Sequence, residues 1–250
     1  MGEIIRSHIK PMQYLSLRHC VVFVAFCFFL SPLSCQLPQR KATDFTALQS
    51  KLESDRSRQA YDALQFLLAE QYTDLSAEER KSLRASLEKH AKWSSATLCP
   101  DTERGVKLQL EGRLLNEKKQ PVAGAKLHIF HTDSRGFYSP LDSITGRMLE
   151  QDPRLDGFLH TDEQGRFSIQ TVRPANYPKK YEGRLLPQHV HILAYADGYA
   201  IRSAQVVFTD DPAMNGHWLD WAKKGKHPLV QLEKTTAGLN GKFELHLVKK

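Results

Sequence analysis

His189-Val190-His191 is the sharpest local signal for chemistry in this chain. On a β-strand, residues i and i+2 project from the same face, so both imidazoles can reach one metal ion. Such a pair also serves structural or surface roles, and 11 histidines among 250 residues make chance pairs common. His128, His131 and His160 read as strand or turn residues, while His217 and His227 sit among Trp218, Trp221 and Lys223 as an ordered loop. Tyr181, Tyr195 and Tyr199 read as packing or pocket-wall residues. Neither a glycine-rich phosphate loop nor a serine-centred nucleophile elbow is present.

The elements that must position the pair follow from periodicity. Val106 to Glu111 alternates apolar and polar, and similar runs cover Lys126 to His131, Arg166 to Val172, His189 to Ala194, Ile201 to Phe208 and Lys242 to Val248. Turn signals such as Asp162-Glu163-Gln164-Gly165 separate them. Many short strands without intervening helices predict a mainly β protein, a β-sandwich. Before them lies a helical pattern: Phe45, Leu48 and Leu52, resuming through Tyr61, Leu64, Leu67 and Leu68, then Leu83 and Leu87. Ser76-Ala77-Glu78-Glu79 is a capping box. An N-terminal helical hairpin is expected over 36–98, ahead of a sandwich domain over 99–250; its apolar face serves packing or a homodimer contact. Asp210 to Thr236 reads as a long excursion with one helical turn.

An ordered series surrounds the histidine pair. Gln120-Pro121-Val122-Ala123-Gly124-Ala125 precedes Leu127-His128-Ile129-Phe130; Gly136-Phe137-Tyr138 follows, then Thr161-Asp162-Glu163-Gln164-Gly165-Arg166-Phe167. Pro174-Ala175-Asn176-Tyr177-Pro178, Pro187-Gln188-His189-Val190-His191 and Gln205-Val206-Val207-Phe208 close it. This set resembles the catalytic domain of intradiol ring-cleavage dioxygenases, over roughly Cys99 to Asp211. The resemblance implies ferric iron held by Tyr138, Tyr177, His189 and His191, an aromatic diol and dioxygen as partners, and a catalytic part for Tyr177 as acceptor of a diol proton. The two tyrosines stand 39 residues apart, as in the family. Ferric iron is a hard ion and phenolate a hard donor, and a nearby trivalent charge drives the proton off a phenol whose free pKa is about 10. Zinc is the less favoured metal, because paired tyrosines are unusual in a zinc shell.

The family carries an arginine directly before the proline of its Pro-x-His-x-His strand, and this chain has Leu186 there. Arg184, two positions earlier, is either its catalytic replacement or a solvated charge. Gln205 matches a family glutamine that lines the pocket. The alternative reading is a non-catalytic envelope binding module of the carboxypeptidase regulatory type, which shares the Pro-Val-Ala-Gly-Ala and Thr-Asp-x-x-Gly-x-Phe segments.

Composition is that of an ordinary globular chain, with a formal net charge of +7 and 25% charged residues. Basic residues are scattered rather than striped with aromatics, which argues against nucleic-acid binding. Cys20 to Leu30 is an apolar run of 11 residues, too short to span a bilayer and suited to a signal-peptide core. Ser34-Cys35 behind it resembles a bacterial lipoprotein cleavage site, so 1–35 is expected to be a leader and Cys35 a candidate lipid anchor on the membrane. Without lipidation, a Cys35–Cys99 bridge is open in an oxidising compartment.

Overall fold

The computed structural model of the protein describes residues 42–145 and 150–250. The expected leader, including Cys35, lies outside the described residues. Helices come first: α1 (Ala42–Asp55), α2 (Arg58–Glu70) and α3 (Ala77–His90). The expected hairpin is thus a three-helix layer. Arg56 adopts a left-handed φ of 50° and Ser57 caps the new helix by accepting from the Ala60 backbone N–H, which breaks the first pattern in two. The expected capping box at Ser76 and Glu79 is present.

Next in the chain are β1 (Ser95–Thr97), β2 (Lys107–Asn116), β3 (Lys126–His131), the short α4 (Pro140–Thr145), β4 (Leu155–His160) and β5 (Arg166–Val172). After them come β6 (Lys180–Tyr181), β7 (Arg184–Leu185), β8 (His189–Tyr195) and β9 (Arg202–Phe208). The expected single turn in the excursion is a nine-residue helix, α5 (Gly216–Lys224), followed by β10 (Leu229–Val230), β11 (Glu233–Thr235) and β12 (Gly238–Leu247). Two five-stranded sheets form, in the orders β1-β5-β2-β12-β11 and β10-β9-β8-β3-β4. Strand structure therefore begins at Ser95, ahead of the expected boundary at residue 99.

Alternate residues of each strand fill the space between the sheets. Leu108, Leu110 and Leu114 of β2 meet Leu127 and Ile129 of β3, Val190, Ile192 and Ala194 of β8, and Ala204, Val206 and Phe208 of β9. The remaining residues of the second sheet point outward. In cross-strand register, Asp156, Phe130, His191 and Gln205 form one row on that outer face.

The helical layer covers the β4 end of this face. Phe158 packs into the helical core with Leu64, Leu68, Leu83 and Leu87, and the Tyr61 hydroxyl donates to the Phe158 carbonyl oxygen at 2.9 Å. Arg84 of α3 pairs with the buried Asp156 at 2.6 Å, and the other oxygen of Asp156 lies 2.7 Å from His128 Nε2.

His131 ties the two sheets together at one end of the core. Its Nδ1–H donates to the Thr132 carbonyl oxygen at 2.6 Å, so its Nε2 accepts from the Thr171 hydroxyl of β5 at 2.7 Å. Complete burial pushes its pKa down to about 4, against about 6.5 for an unfolded histidine. Between those values the unfolded chain takes up a proton that the native state refuses. Stability is therefore undiminished above about pH 6.5 and falls as the pH drops toward 4, by on the order of 3 kcal/mol for His131. Urea midpoints of metal-free protein should decline across this window. His131→Gln should lower the midpoint at neutral pH and remove part of the slope, since the buried His189 and His191 are shifted in the same direction.

Candidate metal centre

His189 and His191 face outward from β8 with their Nε2 atoms 3.0 Å apart. The Tyr138 hydroxyl stands 2.8 Å from His191 Nε2 and 3.2 Å from His189 Nε2. Three candidate donor atoms thus enclose one small space. Ligands that share a first-row metal at about 2.0–2.2 Å lie about 3 Å from one another, so the triangle has the size of a coordination shell. His189 Nδ1–H donates to the Pro187 carbonyl oxygen at 2.7 Å, which leaves a lone pair on Nε2 pointing at that space. The His191 ring is stacked on Phe130, with centroids 4.5 Å apart and planes 6° from parallel.

Tyr138 reaches the pair from the loop after β3. Asp133 closes that loop: its Oδ1 accepts from the Arg135 and Phe137 backbone N–H groups, and its own N–H donates to the Phe137 carbonyl oxygen at 2.8 Å. The Tyr138 N–H then donates to Asp142 Oδ2 at 2.8 Å, and its carbonyl oxygen accepts from the Arg154 N–H at 2.7 Å. Tyr177 lies on the extended segment between Pro174 and Pro178, which is fixed to the same loop. The Ala175 N–H donates to the Asp133 carbonyl oxygen at 3.1 Å, and the Thr132 hydroxyl donates to that of Ala175 at 2.8 Å. The Tyr177 ring is 6.2 Å from that of Tyr138, buried in a cluster with Phe130, Phe137, Leu186 and Leu193. Among the described residues its hydroxyl makes no hydrogen bond, unlike that of Tyr138.

Burial holds both histidines neutral; for His191 the neighbouring His189 adds to the effect. Burial likewise raises the phenol pKa of Tyr138, reinforced by the carboxylates of Glu150 and Asp142, and that of Tyr177, reinforced by Asp142 and Glu150. Deprotonating these phenols at neutral pH requires a nearby positive charge, and the same two carboxylates favour a cation there. Among the described residues no three His, Cys, Asp and Glu side chains converge on a metal position. A metal at this place depends on the phenol oxygens.

The other expected residues divide. Gln205 sits opposite His191 in register, on the same face, and its backbone N–H donates to His227 Nδ1 at 3.0 Å. Arg184 is exposed. Glu182 and Gly183 both have positive φ, 47° and 77°, and make a tight two-residue turn that sets Arg184 opposite Tyr181 at the tip of the β6–β7 hairpin. Of the two readings of Arg184, its exposure accords with the solvated charge, while the apolar Leu186 packs against the tyrosine cluster. Cys99 is buried, its Sγ 3.9 Å from Thr171 Oγ1. Phe130, Asp142 and the Pro187 carbonyl oxygen escaped the sequence reading, since an aromatic, a capping carboxylate and a backbone atom carry no metal-site signature.

On this β-sandwich two tyrosines and two histidines gather at the outer face of one sheet, a donor set of the kind that a phenolate-ligated metal takes. Residues 85–244 match the family model described as Dioxygenase. This chain belongs to the intradiol ring-cleavage dioxygenase family. It is 32% identical over 120 residues to a catechol 1,2-dioxygenase of Acinetobacter baylyi, across 43% of this chain and 38% of that protein. To a hydroxyquinol 1,2-dioxygenase of a Rhizobium species it is 28% identical over 129 residues, across 47% and 42%. The chain thus spans less than half the length of these curated relatives. Its fold matches the crystal structure of catechol 1,2-dioxygenase from Pseudomonas arvilla at a TM-score of 0.51 and 20% identity, over 82% of this chain and 76% of that one. It also matches 3-chlorocatechol 1,2-dioxygenase from Rhodococcus opacus at 0.50 and 18%, over 82% and 95%.

Gly136 gives a test of how the two tyrosine segments are held. Its φ is 89°, and a Cβ at this position would overlap the carbonyl oxygen of Asn176, next to Tyr177. Gly136→Ala should cost about 1–3 kcal/mol and reduce metal uptake, as read by urea denaturation and metal analysis. Gly124→Ala, also at positive φ (67°) but with open space around it, should cost less and leave uptake intact.

Proposed function

We propose that this chain holds ferric iron between Tyr138, Tyr177, His189 and His191 and cleaves a catechol-type aromatic diol between its hydroxyl-bearing carbons. Both atoms of one dioxygen molecule enter the product, a muconate-type diacid. The observation that carries this reading is the approach of the Tyr138 hydroxyl and the two imidazole Nε2 atoms to within 2.8–3.2 Å of one another. A binding module of the carboxypeptidase regulatory type has no use for such a triangle.

When bound, ferric iron supplies Lewis acidity for a diol dianion and accepts electron density from it. The chain's own residues do the rest. Tyr138 and the histidine pair form the rigid part of the shell, each fixed by hydrogen bonds or stacking. Tyr177, whose hydroxyl makes no such bond among the described residues, takes a diol proton at its Oη. Phe130, Phe137, Leu186 and Leu193 exclude water and offer an apolar wall to an aromatic ring. The amide of Gln205 lies beside His191.

Iron-loaded protein should be reddish from phenolate-to-iron charge transfer, and Tyr138→Phe and His191→Ala should each bleach the band or remove the metal. Catechols should shift the band to longer wavelength and consume oxygen one-for-one with diacid formed. A colourless protein after growth in iron-replete medium overturns the metal reading. Band shifts without oxygen uptake across catechols, hydroxyquinols and protocatechuate overturn the enzymatic one. With no guanidinium at residue 186, Leu186→Arg should raise turnover of simple catechol by up to about tenfold, the weight of one charge-assisted contact.

The run Cys20 to Leu30 supports export of the protein. Mature chain recovered outside the cytoplasm should start at or just after Cys35, and Cys35→Ser should release it from membranes if that residue carries a lipid. A cytoplasmic chain retaining its N-terminal methionine overturns export.

A further inference from the structure

Asp211 lies three residues beyond the end of β9, with 4% of its surface exposed. Its Oδ2 accepts from the Asn176 side-chain amide at 3.0 Å and from the Gln188 backbone N–H at 2.6 Å. Its Oδ1 accepts from the Ala213 backbone N–H at 3.0 Å. Asn176 immediately precedes Tyr177, and Gln188 immediately precedes His189. One buried carboxylate oxygen therefore joins the two segments that deliver a phenol and an imidazole to the centre, although they come from separate parts of the chain.

The surroundings reinforce the junction. The same Asn176 amide nitrogen donates to the Leu186 carbonyl oxygen at 2.8 Å. The Gln188 side chain accepts from Arg173 Nε at 2.7 Å, and the Arg173 guanidinium is paired with Asp210. Tyr138 is anchored at its hydroxyl by the histidines, whereas the Tyr177 hydroxyl makes no hydrogen bond among the described residues. The reach of Tyr177 is thus set by its backbone, and its backbone is tied through Asn176.

We propose that Asp211 is a positioning residue that holds Tyr177 at ligating distance from the metal by clamping Asn176 to the strand of His189. The proposal rests on the metal-site reading above. It assigns Asp211 no contact with metal or substrate. Metal sites commonly rely on such outer partners to aim their ligands.

Asp211→Ala is the informative change. It removes both oxygens and with them all three N–H bonds, whereas an amide turned with its oxygen toward Asn176 and Gln188 would keep the clamp. Iron-loaded Asp211→Ala should keep close to one iron per chain. Its charge-transfer absorbance per iron should fall about twofold, toward that of Tyr177→Phe, because one of two phenolates is lost. An unchanged band per iron, with only the melting temperature lowered, would show Asp211 to be merely structural and would overturn the proposal. Should Asp211→Ala fail to fold, Asn176→Ala cuts the Tyr177 branch, together with its bond to the Leu186 carbonyl oxygen, and leaves Asp211 on Gln188 and Ala213. It should show the same loss, and a wild-type band in it overturns the proposal equally. A colourless wild-type protein sinks the metal reading and this inference with it; a coloured wild type with unchanged variants sinks only the part given to Asp211.

Discussion

Strand β8 serves two faces at once. Val190, Ile192 and Ala194 fill the core between the sheets, and the intervening His189 and His191 face outward to the centre. Side chains alternate along a strand with a period of two, so a slip of one residue would send both imidazoles into the core and the aliphatic residues out. Pairing with β3 on one side and β9 on the other, at Phe130 and Gln205 opposite His191, removes that freedom. The histidine geometry is a by-product of core packing, and its precision is that of the register.

The loops carry the remaining burden. Neutral imidazoles and protonated phenols are the forms that burial favours in the metal-free chain. A cation reverses the balance for the phenols, since its charge outweighs the cost of burying phenolate. On the proposed metal reading, cation binding and order in the tyrosine segments are coupled, and the hydrogen bonds around Asp133 hold those segments in place without it.

Strands β3, β5 and β8 were legible because alternation and turn residues agree there. Strand β4 was not. It is covered on both sides, by core and by helices, so alternation is lost, and Gly157 in its middle reads as a turn. That glycine is there because a Cβ would collide with the Leu98 side chain. β1, β10 and β11, of two or three residues each, are too short to show a period. The histidine pair was visible from its spacing alone, whereas Tyr138 and Tyr177 lie in irregular loops with no periodicity to mark them. Only the order of short segments shared with a family pointed to them. Arg184 stayed open between two roles because sequence distance says nothing about a hairpin tip.

The bond between Arg84 and Asp156 bears on how far this molecule can be divided. Asp156 occupies the same cross-strand row as His191, with Phe130 between them, and its carboxylate is screened from water by α3. The described residues, from Ala42 onward, form one compact unit. A fragment starting at the first strand would leave this carboxylate beside an apolar face without its guanidinium, and would bare Phe158 as well. The helical layer is in this sense the fourth wall of the sandwich rather than an accessory, and shuffling the β-region alone into another context would not transplant a working scaffold.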